Sequence, residues 1–538
     1  MKYTFLVLVF LYSNVSIAKL TPPKLIVQIV VDQLRGDLLQ NQDNFQPAGF
    51  NYLLHHSINF QNAHHPHANT VTCTGHATIA TGSYPSLHGI IANEWFNRVT
   101  NKVNYCVEDM KNPILPTNRL SNIPPGRSPK NLMVSTTSDE LILAQKGRAF
   151  AVSLKDRGAI MLAGHAGKAF WFDKENGGFI TSTYYYKTYP NWVIAWNKQY
   201  QPKNETWSLT YPKAQYHFAN APRFDNRFTA FGQDFPHRLG DVDSTDYYKF
   251  LSMTPIADEL TADFATQLLV HEQLGQSSGK TDYLAISFSA VDSIGHQFGP
   301  NSLEAEDNLL RLDKTIAKLL HKIDTQIGLS NTLIVLTADH GVTDSLTYLA
   351  EHQFSPIKAP NVVSIRKYLG EKLMKRFHLP ATTIQAIEPP YIYLDHSLIN
   401  DYQLTTKLVS NVIVEVLNQH PAIFQAFTLS GSMPQNDWLG DKVAKMAFTK
   451  RAGDIYTVLA PYQSDQLDTT QGNRVNHGTP WNYDSYVPLL FVNPNFKAHT
   501  IVKSVYTTDI AATLALLLHI KQPSATVGIP LTAVTQYY

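Results

Sequence analysis

Three almost wholly apolar runs, each followed within four residues by an aspartate, constrain the fold of this chain more than any other feature. Leu25-Ile-Val-Gln-Ile-Val-Val31 leads into Asp32, Tyr283-Leu-Ala-Ile-Ser-Phe288 into Asp292, and Thr332-Leu-Ile-Val-Leu-Thr337 into Asp339. Runs this short and this rich in β-branched residues suit strands buried on both faces, as in a parallel sheet covered by helices. Val487-Pro-Leu-Leu-Phe-Val492 reads as a further strand of the same kind, its proline near the start. Helical patterns lie between them. Leu309, Leu312, Ile316, Leu319 and Ile323 recur at spacings of three and four, with Asn301 and Glu304 resembling a capping box just ahead. Residues 256–274 and 509–518 read as two more helices. This alternation predicts an α/β fold with an open, mostly parallel central sheet and helices on both faces.

Two stretches interrupt the alternation. Residues 170–250 are rich in Tyr, Trp, Phe, Asn and Asp, and residues 342–475 mix short helical and strand-like segments. We read both as insertions covering the active edge of the sheet within one catalytic domain spanning 19–538. The aromatic insertion could stack a flat leaving group or serve as a covering layer. At 538 residues, 44% hydrophobic and 16% charged, the composition is globular and excludes wholesale disorder and fibrous folds. Lys and Arg total 44 against 43 Asp and Glu, so the charge argues against a strongly cationic nucleic-acid binder. Residues 1–18 carry Lys2, an apolar run to Tyr12 and a small-residue end at Ala18, which is the pattern of a secretory signal peptide. The expectation is an exported protein, periplasmic or secreted, without a transmembrane segment in the mature chain. Cys73 and Cys106 are the only cysteines. In an oxidising compartment they could form one bridge; two isolated thiols are the alternative. The oligomeric state is not set by anything in the sequence.

Open α/β sheets bind ligands at the carboxyl ends of their strands, so acidic residues far apart in sequence can converge there. Singly, an aspartate after a strand is more often a cap or turn residue. The joint pattern is stronger: Asp32, then Asp292-x-x-x-His296, then Asp339-His340, then His477 in Asn476-His-Gly-Thr479. Asp292 and His296 are one helical turn apart and can point to the same side. Carboxylate and imidazole together suit Zn²⁺, and two metals about 4 Å apart could share this set in phosphoryl transfer.

A metal pair needs a nucleophile, and Thr72-Cys-Thr-Gly-His76 followed by Thr81-Gly-Ser-Tyr-Pro85-Ser-Leu-His88-Gly-Ile-Ile-Ala-Asn93 offers one. Here the chain resembles the alkaline phosphatase superfamily. The likeness is closest to the phosphate-irrepressible (PafA-type) alkaline phosphatases and more distant to the nucleotide pyrophosphatase/phosphodiesterases. It runs from Val31-Asp-Gln-Leu-Arg35 through Val291-Asp-Ser-Ile-Gly-His296 to Thr508-Asp-Ile-Ala511. Many relatives carry proline where this chain has Thr74, which touches the turn after Thr72 and removes no ligand.

The resemblance implies a catalytic Thr72, four before His76, rather than the neighbouring Thr74. It implies two Zn²⁺ per chain: one on Asp292, His296 and His477, the other on Asp32, Asp339, His340 and the Thr72 oxygen. It implies Asn93, Lys155 and Arg157 as ligands of the phosphoryl oxygens of small phosphate esters. On their own residues, Lys155 and Arg157 would share a face if Val152–Arg157 were extended, and the plain reading is a solvated charged edge strand. The expected activity is hydrolysis of phosphate monoesters through a phosphothreonine on Thr72, with a phosphodiesterase or nucleotide pyrophosphatase as the alternative. A sulfatase needs a proline and an arginine after its modified Cys or Ser. Cys73 is followed by Thr74-Gly75-His76-Ala77 instead. A catalytically dead binding protein would need a broken site, and every expected ligand is present.

Overall fold

The structure, a computed structural model, describes residues 20–40, 44–116, 125–221, 231–244, 246–354, 362–429, 437–462 and 475–538. The stretch read as a signal peptide lies outside the described residues. The core is a nine-stranded sheet. Five neighbouring strands at its centre run parallel, in the order Thr332–Thr337, Leu25–Val31, Asp282–Phe288, Ala149–Ser153 and Lys168–Phe172. The Thr332–Thr337 strand pairs antiparallel with Leu489–Val492, which pairs antiparallel with Ser57–Phe60; His499–Ile501 then closes that edge, parallel to Ser57–Phe60. Phe179–Ile180 closes the other edge antiparallel to Lys168–Phe172.

The run at 487–492 therefore departs from the parallel expectation. Pro488 has no N–H to give a ladder and divides it. Tyr486–Val487 joins the short strand at Ala63–His64, and only Leu489–Val492 enters the main sheet. A buried strand is apolar on both faces whichever way it runs, so its direction leaves no mark in the residues.

Side chains alternate between two cores as the pleat requires. Ile26 and Val30 join a cluster with the helices Thr72–Thr81, Asp156–Ala163 and Asp509–Leu518. Leu25, Val27, Ile29 and Val31 join another with Ile256–His271 and Leu303–Gln326. The latter helix is capped by Ser302, whose hydroxyl accepts from the Ala305 N–H, rather than by Asn301; Glu304 instead pairs with His237. The aromatic insertion packs on this second face. Trp196 donates to Asp263, Trp207 to Asp307, and Phe179 stacks on Phe264 at 4.1 Å. These rings are taken up by the helices beneath them.

Within 342–475 the chain builds a four-stranded antiparallel sheet from Ile384–Glu388, Tyr391–Leu394, Ile455–Leu459 and Ile423–Thr428. One of its faces, with Ile392, Leu394 and Ile455, forms a separate small core. The other, with Tyr391, Tyr393 and Tyr456, belongs to the main core.

Candidate active site

Register brings the acidic residues to one level. Val31 of the first strand lies opposite Phe288, and Val30 opposite Thr337. The backbone N–H of Asp32 donates to the Phe288 carbonyl at 2.8 Å. Past Phe288 the chain turns into the helix Ala290–Phe298, so Asp292 and His296 sit on one face with His296 Nε2 3.2 Å from Asp292 Oδ1. His477 Nε2 lies 3.5 Å from the same oxygen. His340 Nε2 is 3.5 Å from Asp32 Oδ1 and 3.4 Å from Asp339 Oδ2, and its ring stacks on His477 at 3.5 Å.

Backbone carbonyls fix how the imidazoles face. Nδ1 of His296, His477 and His340 lies within 2.7–2.9 Å of the carbonyls of Val475, Thr70 and Gly341 respectively. A protonated Nδ1 donating to a carbonyl leaves the Nε2 lone pair free toward the cluster, the tautomer a metal ligand needs. His340 Nε2 is buried without a hydrogen-bond partner among the described residues.

Thr72 is the first residue of the Thr72–Thr81 helix, where the backbone dipole favours negative charge. Gly75 lets this helix end sit against the chain just past the Thr332–Thr337 strand, since a β-carbon there would collide with the Asp339 carbonyl. His76 ties the turn down. Its Nδ1 lies 2.8 Å from the Thr72 carbonyl, its Nε2 2.9 Å from Ser287 Oγ, and Asp339 Oδ2 is 3.2 Å away.

The polar side chains opposite come from two other elements. Asn93 Oδ1 accepts from the Cys73 N–H at 2.9 Å. Lys155 and Arg157 are not on an extended edge. The strand ends at Ser153, whose hydroxyl accepts from the Lys155 N–H, and a helix begins at Asp156 with Lys155 as its cap residue. The two cations come together through this turn rather than by strand alternation, and Lys155 is 5% exposed, not solvated. Its Nζ lies 2.6 Å from Asp32 Oδ2 and 2.5 Å from Asp292 Oδ2. Arg157 Nη2 donates to Thr72 Oγ1 at 3.4 Å.

Cys73 and Cys106 are joined by a disulfide across a separation of 33 residues, which ties the residue after Thr72 to the hairpin beyond Asn93. Replacing both cysteines with alanine should lower the unfolding free energy by about 3–4 kcal/mol. An unchanged urea midpoint for that variant would contradict this role.

Sequence reasoning missed Gln33. Its side chain donates to Asp292 Oδ1 at 3.0 Å and its backbone N–H to Asp339 Oδ1 at 3.2 Å, so it bridges two of the strand ends. The glycine in Ser293-Ile-Gly-His296 makes room for it, because a β-carbon at Gly295 would strike the Gln33 amide. That glycine beside a ligand motif was the available signal.

Burial, followed by the charges of Asp292 and Asp339, pushes Asp32 well above the ordinary carboxylate range. Burial would also raise Asp292, but Lys155 and His296 overcome it and hold it well below. Burial keeps His340 and His477 below the ordinary histidine range, hence neutral. Lys155 is balanced against Asp32 and Asp292, while Asp32 Oδ1 and His340 Nε2 are buried without a hydrogen-bond partner among the described residues, as donor atoms left open for a cation would be. Among the described residues two donor groups have ligand atoms within 4.8 Å of one another: Asp292, His296 and His477, and Asp32, Asp292 and His340. Oxygen and nitrogen donors in this mixture fit dications of the zinc kind. Asp292 therefore belongs to both groups. Asp339, expected with Asp32 and His340, touches His340 and His76 but falls outside that tight set.

Comparison with known proteins agrees with this geometry. The type I phosphodiesterase / nucleotide pyrophosphatase family matches residues 26–478. The chain belongs to the alkaline phosphatase superfamily. Alkaline phosphatase PhoV of Synechococcus elongatus is 33% identical over 524 residues, covering 94% of this chain and 92% of that protein. Alkaline phosphatase PafA of Elizabethkingia meningoseptica is 32% identical over 542 residues, covering 95% and 94%. The crystal structure of wild-type PafA superposes with a TM-score of 0.85 at 31% identity, over 96% of this chain and 100% of that one. A PafA variant altered at one threonine, one asparagine, one lysine and one arginine superposes with the same TM-score, at 30% identity, over 96% and 99%. As a member of this superfamily with alkaline phosphatases as its relatives, the protein is a phosphoric ester hydrolase.

Proposed function

We propose that this is an exported, zinc-dependent alkaline phosphatase that hydrolyses phosphate monoesters through a phosphothreonine on Thr72. The observation that carries the reading is the convergence, around one threonine hydroxyl at a helix N-terminus, of strand-end carboxylates, inward-facing imidazoles, a buried lysine and a half-buried arginine. The positions altered in the PafA variant are separated by 21, 62 and 2 residues. Thr72, Asn93, Lys155 and Arg157 have the same four residue types at the same separations.

Asp292, His296 and His477 would hold one zinc ion, and Asp32, Asp339, His340 and Thr72 the other, with Asp292 bordering both. When bound there, zinc would supply positive charge that favours an ionised threonine oxygen and a departing ester oxygen. Thr72 Oγ1 attacks phosphorus and the alcohol leaves. Water then breaks the phosphothreonine and returns the threonine with inorganic phosphate. Asn93, Lys155 and Arg157 hold the non-bridging oxygens during both steps. His76 keeps the Thr72 turn in place, and Gln33 holds Asp292 and Asp339 at their spacing.

A second reading follows from the family that matches, whose description names phosphodiesterases. The same metal ligands serve a diesterase. Lys155 and Arg157 favour the monoester, because a dianion presents three non-bridging oxygens and a diester only two, with a second substituent to house. Metal analysis of the purified protein should find about two zinc ions per chain, and chelation should remove activity that added zinc restores. Full activity after exhaustive chelation would end the metal-dependent reading.

A further inference from the structure

We infer that Tyr105 is a positioning residue: its phenol oxygen orients the Arg157 guanidinium toward the Thr72 hydroxyl and so tunes the handling of a phosphoryl dianion. The inference rests on the monoester reading above. Tyr105 ends the short strand Lys102–Tyr105, opposite Glu94 in the hairpin that follows Asn93. Its hydroxyl donates to Asp156 Oδ1 at 2.5 Å and accepts from Arg157 Nη1 at 3.3 Å.

The direction of these bonds is fixed by what surrounds Asp156. Asp156 Oδ2 accepts from Arg127 Nε at 2.6 Å, and Oδ1 accepts from the Arg157 backbone N–H at 2.7 Å as well as from the phenol. The Arg127 guanidinium also lies over the Tyr105 ring at 5.0 Å. Asp156 stays ionised: burial would raise it, but Arg127 and the phenol hydrogen bond hold it below the ordinary range. The single phenol proton is thus committed to a carboxylate, and the remaining lone pairs face Arg157.

An arginine side chain has many rotamers to lose, so a guanidinium used as a planar fork gains from being held. Tyr105 occupies Nη1. Nη2 is directed at Thr72 Oγ1, and Nε is buried without a hydrogen-bond partner among the described residues. Only Nε is left over, and a phosphoryl group bound at Thr72 would meet it together with Nη2, a pair whose parallel N–H bonds suit two oxygens of one group. The hairpin carrying Tyr105 is also where the Cys73–Cys106 bridge attaches, and the Cys106 N–H donates to the Asn93 carbonyl at 2.9 Å. Asn93, Tyr105 and, through it, Arg157 are therefore set by one element relative to Thr72.

The test is a double-mutant cycle on the full-length zinc enzyme. The variants are Tyr105→Phe, Arg157→Ala and the pair, assayed on a monoester and a diester with one leaving group, with inorganic phosphate as competitive inhibitor. Phenylalanine keeps the ring beneath Arg127, so the packing of the hairpin is preserved. Tyr105→Phe should lower kcat/KM for the monoester about tenfold, the size of one lost charge-assisted hydrogen bond. Phosphate inhibition should weaken in parallel, and the diester rate should change less than about twofold with zinc content unaltered. In the Arg157→Ala background, adding Tyr105→Phe should cost less than about twofold. Equal tenfold losses in both backgrounds, or a neutral Tyr105→Phe beside a damaging Arg157→Ala, would overturn the positioning role alone. An Arg157→Ala variant with full monoester activity would overturn it together with the monoester reading.

Discussion

Thr72→Ala should abolish a trappable phosphoenzyme and lower kcat by roughly 10⁴- to 10⁶-fold, a loss typical of a removed nucleophile. Thr74→Ala should cost far less. The two hydroxyls are two residues apart and both buried, yet their surroundings differ. Thr72 opens its helix, where the backbone dipole favours an anion. Its Oγ1 is approached by Arg157 Nη2, and its carbonyl is gripped by His76, which in turn lies beside Asp339. Thr74 is completely buried and its Oγ1 meets no hydrogen-bond partner among the described residues. Rapid-quench labelling with a phosphorus-labelled monoester distinguishes the two. A dead Thr74→Ala enzyme beside an active Thr72→Ala enzyme would show the nucleophile to be misassigned.

Removing Lys155 and Arg157 together should lower kcat/KM for monoesters by on the order of 10² to 10⁴ and leave the diester rate much less affected. Each side chain contributes charge-assisted hydrogen bonds worth roughly 1.5–3 kcal/mol, and both are placed by buried structure rather than by solvent-exposed flexibility. Lys155 reaches Asp32 and Asp292, and Asp292 belongs to both donor groups, so its ammonium lies where the two halves of the site meet. Burial would lower its pKa, but Asp292 and Asp32 outweigh that and raise it, so the ammonium stays charged at neutral and mildly alkaline pH. Arg157 covers the nucleophile itself. Matching losses on both ester types would mean that the pair holds the site together instead of reading the substrate.

How legible the molecule was depended on whether a feature leaves a local pattern. Strands whose faces both lie in cores are continuous apolar runs, so Leu25–Val31 and Thr332–Thr337 could be bounded from the residues, as could the helix Asp509–Leu518. Strand-end aspartates and the one-turn spacing of Asp292 and His296 likewise pointed to a shared site. Orientation was not legible: Leu489–Val492 is as apolar as its parallel neighbours and runs the other way. Nor was the turn at Lys155, because a strand of five residues followed at once by a helix resembles a longer charged strand. The nearby Ser302 took the cap expected of Asn301 because its hydroxyl reaches the third N–H of the helix. Gln33, Tyr105 and Asp156 act through contacts with residues remote in sequence. Polar residues at a strand end or in a hairpin look like ordinary surface until the fold brings their partners to them.

Lys155 and Arg157, set beside the proposed metal pair, are what should make this a monoesterase. The most direct measurement of this is wild-type kcat/KM for a phosphate monoester and a diester bearing the same leaving group, under identical zinc and pH conditions. The account predicts a monoester preference of at least about 10², the value of two or more charge-assisted contacts that a diester does not make. A wild-type enzyme that turns over the diester as well or better would contradict it and place the protein with the phosphodiesterases of its family.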